Sequence, residues 1–268
     1  MRPRLKPRRI RCFALSFLLL PLLVLSAYAD PINLGTAGSY AVLAGSTVTN
    51  TGPSVINGNL GVSAGSAVTG FPPGIVHGTI NAGNALAAQA QSDLTKGYIA
   101  AMHLSPTSNF TGKDLGGLTL TKGVYYFSTS AQLTGTLTLK GKPGALFVFQ
   151  IGSTLTTASS SSVIFINSLT GKRMNDPHVY WVVGSSATLG TSTKFAGNIL
   201  ALTSITLNTG ANITCGSALA RNGAVTLDTN VITKNCGGGT TVPEPGTISL
   251  MGSGLVILAG VARRRMRI

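Results

Sequence analysis

The sequence predicts a mainly β protein built as a β-solenoid, in which short strands wind around a common core. Four stretches share the pattern any residue, Thr, Leu, any residue, Thr: residues 153–157, 187–191, 205–209 and 225–229. The last three recur after 18 and 20 residues, a repeat that fits one solenoid coil of about three strands with roughly six residues each. Only 10% of residues are charged, and Gly, Ser, Thr and Val are abundant. This composition suits strands joined by tight turns.

The repeats also predict a surface. Side chains alternate along a strand, so each Leu should point inward and the Thr before it toward solvent. Stacked coils lie ~4.8 Å apart, and we therefore expect a flat outer face with threonines at regular spacing. The candidate residues of this face are Thr157, Thr191, Thr209 and Thr229, with Thr154, Thr188, Thr206 and Thr226 beside them and Thr47, Thr49 and Thr51 from the first coils.

One segment interrupts the strand pattern. Residues 33–80 alternate short strand and turn signals, whereas residues 82–102 are rich in helix formers and poor in β-branched side chains. Leu86, Ala90, Leu94 and Tyr98 recur every four residues and predict one amphipathic helix that packs along the solenoid.

Strand signals return after the helix. Residues 145–151 are apolar on both faces, which predicts a strand buried between the solenoid core and the helix. Residues 179–183 are similar, and we expect Trp181 to be a buried anchor.

The N-terminus predicts export. Residues 1–29 combine six basic residues, an apolar core from Phe13 to Leu25, and the cleavage pattern Ala27-Tyr28-Ala29. The alternative is an uncleaved anchor, but the apolar run is short for a membrane span. The mature chain should therefore begin at Asp30.

The C-terminus carries a second sorting signal. Pro243, Glu244 and Pro245 precede an apolar stretch over residues 247–262 and a basic end over 263–267. This tail resembles the PEP-CTERM signal of Gram-negative bacteria, which implies recognition and cleavage by a membrane exosortase and release to the cell surface or extracellular matrix. The alternative is a plain C-terminal transmembrane helix. Residues 237–242 form a linker.

Charge and cysteines limit the possible functions. The formal net charge is +14, but residues 30–242 hold ten Lys or Arg against five Asp, and these are scattered along the sequence. We expect no nucleic-acid partner, because nucleic-acid binding needs clustered cations on the protein.

Cys215 and Cys236 remain after export, and an oxidising compartment predicts a disulfide between them, worth about 3 kcal/mol.

Candidate chemistry is sparse. Residues 61–65 match the nucleophile-elbow pattern G-x-S-x-G, but a strand signal follows where the elbow requires a helix. His77, His103 and His178 lie far apart, and no two Asp residues of the mature chain are close in sequence. We therefore expect no enzyme activity, metal or cofactor.

Several motifs together carry a resemblance. Residues 34–44, 56–63, 90–101, 123–125, 147–152 and 216–221 are similar to the bacterial and fungal ice-binding family of the DUF3494 type, over residues 32–236. The resemblance implies a discontinuous right-handed β-solenoid of triangular section with one long α-helix alongside, and adsorption to ice through one flat face.

The resemblance also adds a site residue. The ice face in this family often shows T-[A/G]-x-[T/N], and Thr209-Gly210-Ala211-Asn212 fits, which adds Asn212 to the candidates. Residues 157–160 are close to the motif, whereas the repeats at 191–194 and 229–232 depart from it, and their Lys194 and Ile232 would interrupt the face.

The sequence thus predicts four segments: a signal peptide over 1–29, a solenoid domain over 30–236, a linker over 237–242 and a sorting tail over 243–268. We expect a secreted monomer that binds an ice surface and inhibits ice recrystallisation. The alternative is a matrix protein or adhesin on the same scaffold that binds exopolysaccharide. A polysaccharide-cleaving solenoid is disfavoured because acidic clusters are lacking.

Overall fold

The protein folds as a β-solenoid with one helix alongside, as the sequence predicts. The computed structural model describes residues 32–172 and 178–235. The strands, numbered β1 to β24 in chain order, form three parallel sheets. We call these sheets A, B and C. From β1 to β7 and from β9 to β24 the chain visits them in the repeating order A, B, C, so each complete coil has three sides and a triangular section.

Sheet A has nine strands, in the order β7 (Ile80–Ala82), β4 (Asn59–Val62), β1 (Tyr40–Ala44), β22 (Ala218–Ala220), β19 (Asn198–Ala201), β16 (Val179–Val183), β13 (Phe147–Ile151), β10 (Gly123–Phe127) and β8 (Ser108–Asn109). Sheet B has seven, in the order β11 (Ala131–Leu133), β14 (Leu155–Thr157), β17 (Ala187–Leu189), β20 (Ile205–Leu207), β23 (Val225–Asp228), β2 (Thr47–Thr51) and β5 (Ala67–Thr69). Sheet C has eight, in the order β6 (Ile75–Val76), β3 (Val55–Asn57), β24 (Val231–Thr233), β21 (Asn212–Thr214), β18 (Lys194–Ala196), β15 (Ser162–Asn167), β12 (Thr136–Gly141) and β9 (Thr119–Leu120).

The coils are not stacked in the order of the sequence. Strand β1 pairs with β22 on one side and with β4 on the other, so the first coils of the chain follow directly after the last coil. After β7 the chain must return to the opposite end of the stack. A short 3-10 helix, Gly35–Ser39, precedes β1, and the long helix α1, Ala85–Met102, provides most of the return. Its 18 residues span about 27 Å.

Helix α1 packs its small and apolar side chains against sheet A. The Asn84 side chain accepts a hydrogen bond from the Ala87 N–H at 3.0 Å and so caps the first turn. Leu94 and Tyr98 are buried against sheet A residues such as Leu200. The prediction that Leu86 belongs to the buried stripe is wrong, since this side chain is 65% exposed. The buried stripe instead advances in steps of three and four residues.

Two side chains outside the usual caps hold α1 in place. Buried Gln150 in β13 donates from Nε2 to the carbonyl oxygens of Ala101, in the last turn of α1, and Leu104, just beyond it, both at 2.8 Å. On the other side, Asp93 accepts hydrogen bonds from the Thr36 hydroxyl at 2.8 Å and the Thr36 N–H at 3.1 Å. These bonds, with those from Lys96 and Gln89, hold the pKa of Asp93 well below its usual range.

The core is a ladder of side chains in register between coils. The rings of Tyr125 and Phe149 stack at 5.4 Å, and those of Phe149 and Trp181 at 3.9 Å. Trp181 is fully buried, as predicted, and donates from Nε1 to the Ala196 carbonyl at 3.1 Å. Strand β13 is buried on both faces, also as predicted: Phe149 faces the solenoid core, and Val148 lies in the cluster under α1.

Candidate functional site

The outward side of sheet B carries a straight file of threonines. Strand register aligns one outward residue from each of the seven strands. In spatial order this central file is Gln132, Thr156, Thr188, Thr206, Thr226, Thr49 and Thr69. No register shift interrupts these pairs, whereas the β1–β4 pair of sheet A contains one. The hydroxyls therefore repeat about every 4.8 Å along six adjacent strands.

Another file runs parallel to the central file, and each of its members lies two residues earlier in the chain. We call it the first file, and it contains Ser130, Thr154, Ser186, Ser204, Ala224, Thr47 and Ala67. Its members lie on the same face as the central file because side chains alternate, about 6.6 Å away. Several of its hydroxyls bond to the neighbouring coil, for example Thr154 Oγ1 to Ser130 Oγ at 2.8 Å.

A third file lies at the edge where sheet B turns toward sheet C. The carbonyl oxygens of Thr191, Thr209, Asp228 and Thr51 each accept a hydrogen bond from a left-handed residue of the neighbouring coil. These left-handed residues are Ser160, Ser192, Gly210 and Thr229, and their φ values lie between +54° and +70°. A left-handed residue at the corner therefore recurs from coil to coil, and its N–H bonds to the third-file residue of the next coil.

Asp228 is the one acidic residue among these files. The Thr209 hydroxyl donates to its Oδ2, and the Thr229 hydroxyl donates to its Oδ1 at 3.1 Å. The Asp228 N–H in turn donates to Asn230 Oδ1 at 2.6 Å. We call the outward residues of the three files the Thr face. Its members carry no cation, and Asp228 is the sole charge.

Comparison with known proteins identifies the family. A family model described as ice-binding-like matches residues 42–233. A protein named as an ice-binding protein of Nostoc sp. (strain HG1) is 58% identical over 241 residues, which cover 87% of each chain. The chain belongs to the ice-binding-like family. A second model, for the PEP-CTERM protein-sorting motif, matches residues 241–267.

Solved structures of ice-binding proteins share this solenoid. One, from an Antarctic biological consortium, is 44% identical with a TM-score of 0.71, covering 76% of this chain and 91% of the other. Another, from the Antarctic ascomycete Antarctomyces psychrotrophicus, is 39% identical with a TM-score of 0.70, covering 76% and 98%. Because these solved chains consist almost wholly of the matched region, that region of the ice-binding-like family folds without further domains.

The structure places one predicted contact residue in the interior. Thr157 is only 3% exposed. It lies between Leu133 on one neighbouring strand and Leu189 on the other, and both leucines point into the core. Its hydroxyl accepts from the Gly190 N–H at 2.8 Å and lies 2.9 Å from the hydroxyl of buried Thr193. Thr157 is therefore a core hydrogen-bonding residue, and its prediction as part of the Thr face is wrong.

Three further expectations are corrected by the position of sheet C. Asn212 begins β21 and accepts a bond from the Val231 N–H, so it lies on sheet C and not on the Thr face. Lys194 pairs with it in β18 and also lies on sheet C. Ile232 is fully buried and points into the core. Neither Lys194 nor Ile232 interrupts the Thr face, contrary to the sequence-based expectation.

The remaining predicted residues lie on or beside the Thr face. Thr188, Thr206, Thr226 and Thr49 form the middle of the central file, and Thr154 and Thr47 belong to the first file. Thr191, Thr209 and Thr51 belong to the third file. Thr229 does not belong to it: Thr229 takes the left-handed position next to the file, and Asp228 occupies the place in the file itself.

Two threonines of the central file, Thr156 and Thr69, were not predicted from the sequence. The repeat pattern aligns Thr154 with Thr188, whereas the ladder pairs Thr156 with Thr188. Alternation in the stretch from Ser66 to Thr69 is the signal that could have identified Thr69.

Some predictions fall outside the described residues. These are the signal peptide, Cys236, the linker and the sorting tail with Pro243, Glu244 and Pro245. Cys215 is disulfide-bonded, and no other cysteine lies among the described residues. In residues 32–172 and 178–235, no helix is both long and apolar enough to cross a bilayer.

Proposed function

We propose that this protein is a secreted, non-enzymatic ice-binding protein that adsorbs to ice through the Thr face. The observation that carries the proposal is the central file, in which six threonines occupy the same position in six adjacent strands. The family membership and the names of its relatives support the same function.

The chemistry of the Thr face suits a crystalline partner. Threonine offers a hydroxyl that orders water and a methyl that repels it, and its stiff χ1 means that little entropy is lost when a row of these side chains is held in place. In the central file, the one hydrogen bond between described side chains is Thr49 to Thr226 at 3.4 Å, so most of its hydroxyls are left to bind water. Each contact is weak, and their contributions add only if the partner repeats at the same spacing.

The hypothesised mechanism is adsorption. Water ordered over the Thr face merges with the crystal lattice and holds the protein on the surface. Ice then grows only between bound molecules, where the surface becomes curved and further growth is opposed. Inhibition of recrystallisation follows from the same pinning.

A matched pair of variants tests the assignment of the face. Thr206 and Thr214 lie in consecutive strands of one coil, the first on the Thr face and the second exposed on sheet C. We expect Thr206→Tyr to abolish recrystallisation inhibition by residues 30–242, because a ring at the centre of the file prevents close approach of ice. Thr214→Tyr should retain it. Full activity in Thr206→Tyr would assign ice binding to another face, and no activity in the unmodified chain would refute ice binding itself.

The alternative functions have weaker support. A matrix protein or adhesin that binds exopolysaccharide would suit the sorting tail, but the relatives named above are ice-binding proteins. The groove of about 530 Å3 on sheet C gives no support for catalysis, because Lys194 is the sole charged residue that lines it. The described residues also contain no group of three potential metal ligands.

We further propose the route of export and the processing of the chain. The signal peptide is removed after Ala29, and the apolar tail anchors the protein transiently in the inner membrane until an exosortase cleaves it. Export to the cell surface or beyond is supported by the sorting motif. The mature protein acts as a monomer, with the four segments bounded at residues 29, 236 and 242. The disulfide of Cys215 joins it to Cys236 and closes the last coil.

A further inference from the structure

Four lysines lie at one corner of the solenoid, although the cations are scattered along the sequence. Lys122 lies in the turn from β9 to β10, and Lys140 and Lys142 lie at the end of β12 and just beyond it. Lys172 lies in the loop after β15, where its carbonyl accepts a hydrogen bond from the Asn167 N–H at 2.9 Å. All three segments connect sheet C to sheet A, so the lysines occupy one corner in three successive coils. We call these four residues the lysine corner.

The charge at the lysine corner is not balanced by the described residues. The described part of the chain holds nine Lys or Arg and three Asp, a net of +6. All four lysines are exposed, and Lys96 with Asp93 is the one ion pair between two described residues. Of the other two acids, Asp228 lies on the Thr face and Asp114 bridges to Gln132 of sheet B. The corner therefore presents a concentrated positive field, which attracts an anionic partner.

Apolar side chains lie among these lysines. Leu169, at the tip of the loop that contains Lys172, is 71% exposed, the highest value for a large apolar side chain in the described residues. Its loop is anchored by the Ser168 N–H, which donates to the Gly141 carbonyl at 2.8 Å beside Lys142. In β15, Ile166 is the register partner of Lys140 and is only half-buried. Exposed aliphatic groups surrounded by lysines suit the interface of an anionic bilayer, where phosphates meet acyl chains.

We propose that the lysine corner docks the protein on an anionic lipid bilayer, with Leu169 inserted at the level of the headgroups and the four lysines bound to lipid phosphates. The corner between sheets C and A lies opposite sheet B in the triangular section. A protein docked in this way directs the Thr face away from the membrane, a consequence that rests on the proposed ice-binding function. Docking itself does not depend on that function.

The end of the described chain agrees with this orientation. After β24, the Lys234 N–H donates to the Asn57 carbonyl at the same C-to-A corner, and the described chain ends one residue later at Asn235. The sorting motif begins at residue 241. The segment that brings the protein to the membrane is therefore attached along the edge that carries the lysine corner. Docking through the lysine corner does not require that segment.

Vesicle sedimentation tests the proposal with residues 30–242, the region that in solved relatives folds without further domains. We expect binding to vesicles of equal parts phosphatidylglycerol and phosphatidylcholine at low salt, weak binding to pure phosphatidylcholine, and loss of binding in high salt, where screening shortens the Debye length to ~3 Å at 1 M. The combined change Lys140→Gln, Lys142→Gln and Lys172→Gln should weaken binding roughly 100-fold, at about fivefold per lysine.

Matched variants separate charge from insertion. Lys113 precedes Asp114, which bridges to sheet B, and so lies outside the corner between sheets C and A. Lys113→Gln should leave binding unchanged, whereas Lys140→Gln should weaken it about fivefold. Leu169→Ser should weaken binding without altering its dependence on salt. Thr206→Tyr should bind vesicles like the unmodified chain, so a failure of the ice-binding proposal would not be mistaken for a failure of docking.

Three results would overturn the proposal. The first is equal binding to the two kinds of vesicle. The second is unchanged affinity in the triple lysine variant or in Leu169→Ser, with tryptophan fluorescence confirming the fold. The third is binding to polygalacturonate, an acidic polysaccharide, without binding to anionic vesicles, which would assign the corner to a polymer in place of a membrane.

Discussion

Replacing Thr157 by Val tests whether this threonine belongs to the core or to the Thr face. Valine keeps the shape of the side chain and removes the hydroxyl, which is the acceptor for the buried Gly190 N–H and the neighbour of the Thr193 hydroxyl. Thr193 keeps its bond to the Ala158 carbonyl at 3.2 Å, so the main loss is one unsatisfied buried donor. Such a loss costs about 1–3 kcal/mol. We expect the free energy of unfolding to fall by about 2 kcal/mol, and Tm by about 4–8 °C for a domain of this size.

The neighbouring residue provides the matched control. Thr156 points outward, is exposed, and makes no side-chain hydrogen bond with a described residue. Thr156→Val should change the free energy of unfolding by less than about 0.5 kcal/mol. Urea unfolding followed by fluorescence of Trp181, which is fully buried and the one tryptophan of the chain, measures both variants. Equal stability of the two variants, or loss of ice activity in a fully folded Thr157→Val protein, would refute the assignment.

Two predictions concern the attachment of helix α1. Gln150→Leu removes the donor to the Ala101 and Leu104 carbonyls and should lower the free energy of unfolding by about 2–4 kcal/mol, whereas unaltered urea unfolding would contradict this role. The pKa of Asp93 is lowered because the ionised carboxylate accepts the hydrogen bonds from Thr36. These bonds therefore stabilise the fold at pH values above the ordinary carboxyl pKa of about 4, and the stabilisation is lost as the pH falls below that value. The urea midpoint should therefore fall more steeply below pH ~4 in the unmodified protein than in Asp93→Asn, and parallel curves would disprove the linkage.

The sequence predicted the solenoid and the helix because both depend on local periodicity. The repeat of Leu189, Leu207 and Leu227 fixes which side of each strand is buried, and these three residues are buried as expected. The helix predicted over about residues 82–102 spans Ala85–Met102, because a composition rich in helix formers acts locally. Leu86 was misplaced because the direction in which the helix stripe turns depends on the shape of sheet A and not on spacing alone.

The site could be predicted only in part, because side-chain direction in a short strand depends on register between coils. Thr154 and Thr156 are both outward, and only the ladder decides which of them continues the file of Thr188. Thr157 follows the same local pattern as Thr191, yet it points inward because the ladder pairs Thr156, and not Thr154, with Thr188, which puts Thr157 level with Leu189. The lysine corner could not be found from sequence, since Lys122 and Lys172 are 50 residues apart and meet only through the stacking of coils.

Incorporation into slowly growing ice tests the central claim most directly. A hemisphere of ice grown in a dilute solution of fluorescently labelled residues 30–242 should take up the unmodified protein and the Thr214→Tyr variant, and should exclude Thr206→Tyr into the remaining liquid. Uptake of Thr206→Tyr equal to that of the unmodified protein, with both variants folded, would contradict the assignment of ice binding to the Thr face.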